Sequence, residues 1–179
     1  MSQVRDGEVE TLGCLYERHR IQLFNFFVRL TGDHPFSEDL VQESFLRMLK
    51  HRETFESGHR FTAWMFQIGR NAHIDALRQR KTMRSPQKPE ETEREIPSEA
   101  LTPDQASRFK EDVQLLQAAL AQLPLELREP LILSRFENLK YEEIATLLDC
   151  GVGAVKMRIH RGLKLLRESY LILARENSL

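Results

Sequence analysis

Four of the seven prolines in this 179-residue chain fall between Ser85 and Ser107. The same stretch carries Glu90, Glu91, Glu93, Glu95, Glu99 and Asp104, and its apolar residues are only Ile96, Ala100, Leu101 and Ala106. A segment so poor in apolar side chains cannot bury enough surface to offset its ordering entropy. It reads as a flexible, acidic, proline-rich linker over 86–107, separating a module of residues 1–85 from one of residues 108–179. Hydrophobic residues make up 41% of the chain, enough to give each side a core. The length excludes a large catalytic barrel, which takes about 250 residues.

Both modules carry helical periodicity. From Glu8 to Leu30 the residues Leu12, Leu15, Tyr16, Leu23, Phe26, Phe27 and Leu30 recur at helical spacing, and Gly32 offers a stop. A second helix is expected from near Ser37, burying Val41, Phe45, Met48 and Leu49, and a third from about Phe61 to Met83. Beyond the linker, Phe109, Val113, Leu116, Leu120 and Leu123 form one stripe. Pro124 opens a new element, in which Pro130 is expected to start or kink the regular helix. Two more helices follow, roughly Tyr141 to Leu148 and Val152 to Leu173. With no strand alternation and no hairpin signal, the fold class is all-α, as two small helical domains.

The most informative constellation lies in the second module. Glu142 to Leu148 is a short amphipathic helix, Asp149-Cys150-Gly151 a tight turn, and the helix from Val152 carries Lys156, Arg158, Arg161, Lys164 and Arg167. No acidic residue occurs between Cys150 and Arg167. This is the plan of a helix-turn-helix with a basic second helix. Ala145 permits close crossing, and Val155 and Ile159 would hold the second helix against Ile144 and Leu148. Gly153, Ala154, Lys156, Met157, Arg158, His160 and Arg161 are then left on its outer and leading faces for phosphates and base edges. A merely solvated basic helix is the bland alternative.

Two constellations in the first module are more open. Arg70 to Arg84 carries five positive charges against Asp75, behind Phe61, Trp64 and Phe66. Interleaved aromatics and cations suit single-stranded nucleic acid, and aromatics at helical spacing equally suit a core. Asp39, Gln42 and Glu43 share one helix face. Such a face can dock a partner, or its acids can simply complement the helix dipole.

Several classes drop out. No run of about 18 apolar residues is present, so nothing is expected to enter a membrane, and no apolar signal core follows Met1. Cys14 and Cys150 are expected as reduced, partly buried thiols of a cytoplasmic protein. The six histidines show no metal-ligand spacing, and no phosphate-binding or nucleophile motif appears, so no cofactor, metal or catalysis is expected. The formal net charge of −1 does not exclude nucleic acid, because it averages a linker with two cations and six acids against the basic stretches on either side.

Three pieces together resemble the ECF (extracytoplasmic-function) sigma factors of bacterial RNA polymerase. They are Asp39-Leu40-Val41-Gln42-Glu43-Ser44-Phe45, Phe61 to Asn71 continuing Ile74-Asp75-Ala76-Leu77-Arg78, and Leu139 to Ala145 continuing Val152 to Arg161. The resemblance implies a two-domain sigma factor, with region 2 in 1–85 and region 4 in 108–179. It implies that Asp39, Leu40, Gln42, Glu43 and Leu46 dock on core polymerase, whose β′ and β subunits are the partners. It implies that Phe55, His59, Arg60, Phe66, Arg70, Asn71, Asp75 and Arg78 meet single-stranded −10 DNA. Gly153, Ala154, Lys156, Met157, Arg158, His160 and Arg161 would meet the double-stranded −35 element. Met157 and Leu163 stand where polar or basic residues are common in the family, which implies a different −35 preference. An anti-sigma factor is a common family arrangement that nothing in the sequence demands. Two other readings remain open on the residues alone: a stand-alone helix-turn-helix regulator with an N-terminal sensor domain, and a helical metalloenzyme.

Overall fold

The computed structural model describes the backbone of residues 1–8, 10–56, 58, 60–83 and 103–177, and their side chains apart from 81–83 and 103–108. All regular structure among them is helical: α1 (Ser2–Arg5), α2 (Thr11–Thr31), α3 (His34–Lys50), α4 (Phe61–Met83), α5 (Pro103–Ala121), α6 (Leu125–Arg135), α7 (Tyr141–Leu147) and α8 (Val152–Glu176). A single 3-10 turn, Arg52–Thr54, links α3 to the segment before α4.

Helices α2, α3 and α4 form the first module. Gly32 takes φ +73 at the end of α2, a left-handed conformation in which its amide donates to Val28 O, so the expected stop falls where its chemistry put it. The expected start of α3 near Ser37 is corrected. Asp33 is the N-cap, its carboxylate accepting from Phe36 N at 2.8 Å, and Pro35 lies in the first turn, where a missing amide costs nothing. The first helix likewise begins at Thr11 rather than Glu8. Helix α1, unforeseen from periodicity because it is one turn long, pins itself by a fully buried Val4.

Helices α5 to α8 form the second module. Helix α5 begins at Pro103, inside the stretch expected as linker over 86–107, at a proline suited to a helix start. Residues 84–102, which hold the rest of that expectation, lie outside the described residues. Pro130 does not start α6; it sits inside it, flanked by buried Glu129 and Leu131. Cys14 is exposed rather than partly buried, and both cysteines are free thiols. No described helix is long and apolar enough to cross a membrane.

The crossing of α6 and α8 depends on Gly162. A Cβ there would stand 3.1 Å from the Leu127 carbonyl oxygen, a backbone atom that cannot rotate aside. Gly162→Val is expected to lower unfolding free energy by about 1–3 kcal/mol, the usual cost of overpacking. Urea denaturation of the variant checks this.

The two modules pack on each other. Leu23, Phe26, Phe27 and Leu30 of α2 belong to one continuous buried cluster with Leu120, Leu131, Ile132 and Leu133. Arg128 of α6 spans the seam, donating to Leu30 O at 2.7 Å and to Ala121 O and Leu123 O at 2.6 and 2.7 Å. One guanidinium therefore satisfies carbonyls at the C-terminal ends of α2 and α5, where the helix dipoles favour a cation.

Candidate nucleic-acid and partner-docking faces

The turn between α7 and α8 is built from backbone chemistry. Cys150 N donates to Ala145 O at 3.0 Å and Asp149 N to Thr146 O at 3.3 Å, with Asp149 at φ +50. That paired pattern closes α7 and reverses the chain in few residues; aspartate is among the few non-glycine types that tolerate the conformation. At the other end of α7, the Glu143 carboxylate accepts from Lys140 N at 2.7 Å. Ile144, Ala145, Val155 and Ile159 are buried between the helices, as their spacing predicts. Lys156, Met157, His160 and Arg161 of α8 are exposed, and so is Gly153. Ala154 is half-buried. Arg158 is half-buried as well, its Nη1 lying 3.7 Å from Cys150 Sγ. Gly151, the N-cap of α8, provides no side-chain hydrogen bond.

Helix α3 presents Asp39, Gln42 and Leu46 to solvent, Leu46 at 64% exposure. Leu40, expected on the same face, is 2% exposed and belongs to the core with Val41, Phe45 and Met48. Its place one residue after Asp39 puts it about 100° round the helix, on the apolar side. Glu43 is tied to Arg47 at 2.6 Å, and the same guanidinium holds Asp75 of α4 at 2.7 Å. Those two bonds, Asp75 first and Glu43 second, raise the Arg47 pKa above its ordinary value. Glu43, Leu46, Arg47, Lys50, His51 and Asp75 line one shallow groove.

Along α4 and the segment before it the expected residues separate by exposure. Arg60, Asn71 and Arg78 are exposed, Arg60 paired with Glu143 and Arg78 with Asp75, while Arg70 and Asp75 are half-buried in ion pairs. Phe55 and Phe66 are buried, at 5% and 0% exposure. Phe66 meets Phe26 edge-on at 5.0 Å, and Phe55 packs on Trp64 at 5.4 Å and Phe61 at 6.4 Å. Trp64 Nε1 donates to Thr54 Oγ1 at 3.3 Å, which anchors the segment before α4. These aromatics are therefore packing residues in this arrangement, and neither buried ring offers a face to a base. His59 lies outside the described residues.

Three carboxylates have roles that no motif of the sequence announces, Glu129 and Glu137 outside every motif and Glu143 within the Leu139–Ala145 piece. Glu129 pairs with Arg70 at 2.9 Å, Glu137 with Arg29 at 3.4 Å and with Gln22 Nε2 at 3.1 Å, and Glu143 with Arg60 at 3.0 Å. Each pair joins the second module to the first. Burial pushes the Glu129 carboxyl upward despite Arg70 and Arg158, and pushes Glu137 up to about 7 against the pull of Gln22 and Arg29. Burial, with Arg70, Arg128 and Arg80 nearby, holds His73 down at about 4, so it is neutral at physiological pH. One signal for Glu129 existed: it stands three and four residues before Ile132 and Leu133, on the buried side of α6.

Known proteins share this arrangement. The Sigma-70 region 2 family matches residues 15–82, and the Sigma-70, region 4 family matches residues 113–166. The ECF RNA polymerase sigma factor SigE of Mycolicibacterium smegmatis is 36% identical over 86% of this chain, which spans 59% of that protein's length. The RNA polymerase sigma factor CarQ of Myxococcus xanthus is 34% identical, with 94% of each chain covered. The sigma factor RpoE, solved in complex with the anti-sigma factor NepR from Bartonella quintana, superposes with a TM-score of 0.70 at 28% identity. That match covers 92% of this chain and 96% of the other.

Proposed function

This chain belongs to the ECF RNA polymerase sigma factors, and from that membership we propose that it docks on core polymerase through α3 and reads promoter DNA through α4 and α8. The observation that carries the reading is the conjunction, in one chain, of a basic recognition helix without acids from Val152 to Arg167 and an exposed Asp39-Gln42-Leu46 face. A stand-alone regulator would account for the first and leave the second without a use. Residues 1–85 would act as region 2, 108–179 as region 4, and the segment between them as the connection through polymerase. The work is transcription initiation without covalent chemistry by this chain, in the cytoplasm with the polymerase.

On α8 the roles divide by exposure. Lys156, His160 and Arg161 have free reach toward a major groove, with Gly153 and Ala154 letting the helix end approach closely. Arg158, turned toward Cys150 and Glu129, supports the turn before it contacts any base. On α4, Asn71 and Arg78 are the exposed polar residues of those expected at an unpaired −10 strand, with Arg78 Nη1 3.7 Å from Asp75. An anti-sigma factor, of the kind bound to the Bartonella relative, is a fitting controller.

In vitro transcription by core enzyme plus this chain, on a genomic promoter library, tests the reading. Transcripts from a promoter subset are the expected result, and none from any promoter would end it. Within that assay, Arg161→Ala is expected to weaken −35-dependent initiation by about 1–3 kcal/mol and to relax discrimination at one base pair. A loss that is equal on every promoter would reassign Arg161 to phosphate.

A further inference from the structure

Helix α8 turns about 100° per residue, so its buried pair, Val155 and Ile159, fixes which way the neighbouring side chains point. Met157 lies midway between them in sequence, and therefore about 160° from each round the helix. It is the crown of the exposed face, at 50% exposure. Between Val152 and Arg161 it is the one exposed apolar side chain. Gly153 and Arg161, one turn before and one turn after, share the crown with His160, and all three are exposed. Lys156 and Arg158 stand about 100° to either side. Lys156 is exposed, and Arg158 is turned to Cys150. A helical side chain leans over the turn before its own Cα. Met157 therefore leans toward Gly153, which brings no side chain to that space, and where even a Cβ would meet nothing within 4 Å. The leading part of the crown thus offers a thioether and a methyl group, and no side-chain hydrogen-bond donor.

A helix laid in a major groove turns its crown to the base edges and its flanks to the phosphate walls. Lys156, on a flank, suits a phosphate. A crown without a donor reads a base pair through apolar contact, and the one apolar group on the major-groove edges is the thymine C5 methyl. We propose that Met157 is a specificity-determining residue that packs on a thymine methyl of the −35 element, so that the chain favours thymine at one position of one strand. The leading turns of α8 then read the duplex by hydrophobic contact, and hydrogen-bonded readout falls to His160 and Arg161 further along. An adenine–thymine pair is told from its reverse, because the methyl lies on one side of the groove. The proposal rests on the sigma-factor reading for the duplex it names, and on the crown of α8 for the contact.

Deoxyuridine tests the contact, since it pairs as thymine does and lacks only the methyl group. Core enzyme carrying the full chain is bound to a promoter from the in vitro selection, with each thymine of the −35 element replaced in turn, on either strand. At one thymine the replacement should weaken binding about fourfold, the worth of one buried methyl group. Met157→Ala should weaken binding to the thymine promoter by at least about fourfold, and make it indifferent to deoxyuridine at that position. The two changes together should cost no more than Met157→Ala alone. Lys156→Ala should weaken binding and keep the deoxyuridine effect, as loss of a phosphate contact does. A urea curve for Met157→Ala should overlay that of the unaltered chain, because the position is exposed. If that variant is less stable, Met157→Ser decides by the same loss of sensitivity. A selected −35 element without thymine, no deoxyuridine effect at any thymine, or losses that add to Met157→Ala at every one, overturns the proposal. No transcript from any promoter would remove the sigma-factor reading, and the thymine contact with it.

Discussion

Phe66→Ala is expected to lower the unfolding free energy by about 3–5 kcal/mol, the usual cost of emptying a fully buried aromatic site. Phe66 is fully buried and meets Phe26 edge-on, with Met65 and Ala72 of the same helix also buried. The resemblance to sigma factors implies a different role, capture of an unpaired base, and the two roles predict different measurements. A core residue shows its loss in urea denaturation of the free chain. A base-pocket residue leaves the free chain stable and slows promoter opening in polymerase. Phe66→Leu separates them further: it keeps most of the volume and should cost less than about 1.5 kcal/mol. Equal stability of the Phe66→Ala variant and the unaltered chain would return this ring to the DNA face.

Leu46→Asp should have the largest effect on assembly. Leu46 is 64% exposed on α3, beside Asp39 and Gln42, where solvent gains nothing from an apolar side chain. Buried at the centre of an interface with core polymerase, such a residue contributes on the order of 2–4 kcal/mol, and an unpaired carboxylate in its place adds a desolvation cost. Affinity for core polymerase should therefore fall at least roughly thirtyfold, which is about 2 kcal/mol. The free chain should keep its stability within about 0.5 kcal/mol, because the site is a surface one. Titration of labelled chain into core enzyme, beside a urea curve, reads both. Unchanged affinity would move the docking face elsewhere on the first module.

The sequence carried local structure well where one chemical signal acted alone. Gly32 ended α2, and Asp149-Cys150-Gly151 formed the turn that a helix-turn-helix requires. It misled in other places. The start of α3 was expected near Ser37, and Asp33 caps it instead, with Pro35 in the first turn, where proline sits readily. At Leu40 and Phe66 the resemblance implied outward, binding roles, and no periodic stripe had been assigned to either residue. Both pack inward, Leu40 with Val41 and Phe66 with Met65 in the core. The seam was illegible for a different reason. Glu129 and Arg70 are 59 residues apart, and no local pattern in either helix says which partner the other will find.

Gly151 has a bearing on how tightly α8 can hold DNA. Its backbone, at φ −74 and ψ 150, is one that any residue adopts, and a Cβ there would meet nothing within 4 Å. Neither conformation nor space therefore calls for glycine. A serine or aspartate in its place would accept a bond from an amide of the first turn and steady the helix by a few tenths of a kcal/mol. It would also be an internal rival for a phosphate seeking those same amides. With glycine there, the leading end of α8 keeps its donors unclaimed until an outside anion arrives. The chain thus gives up a little folding stability at this one position, and keeps a helix end whose strongest acceptor can be the promoter itself.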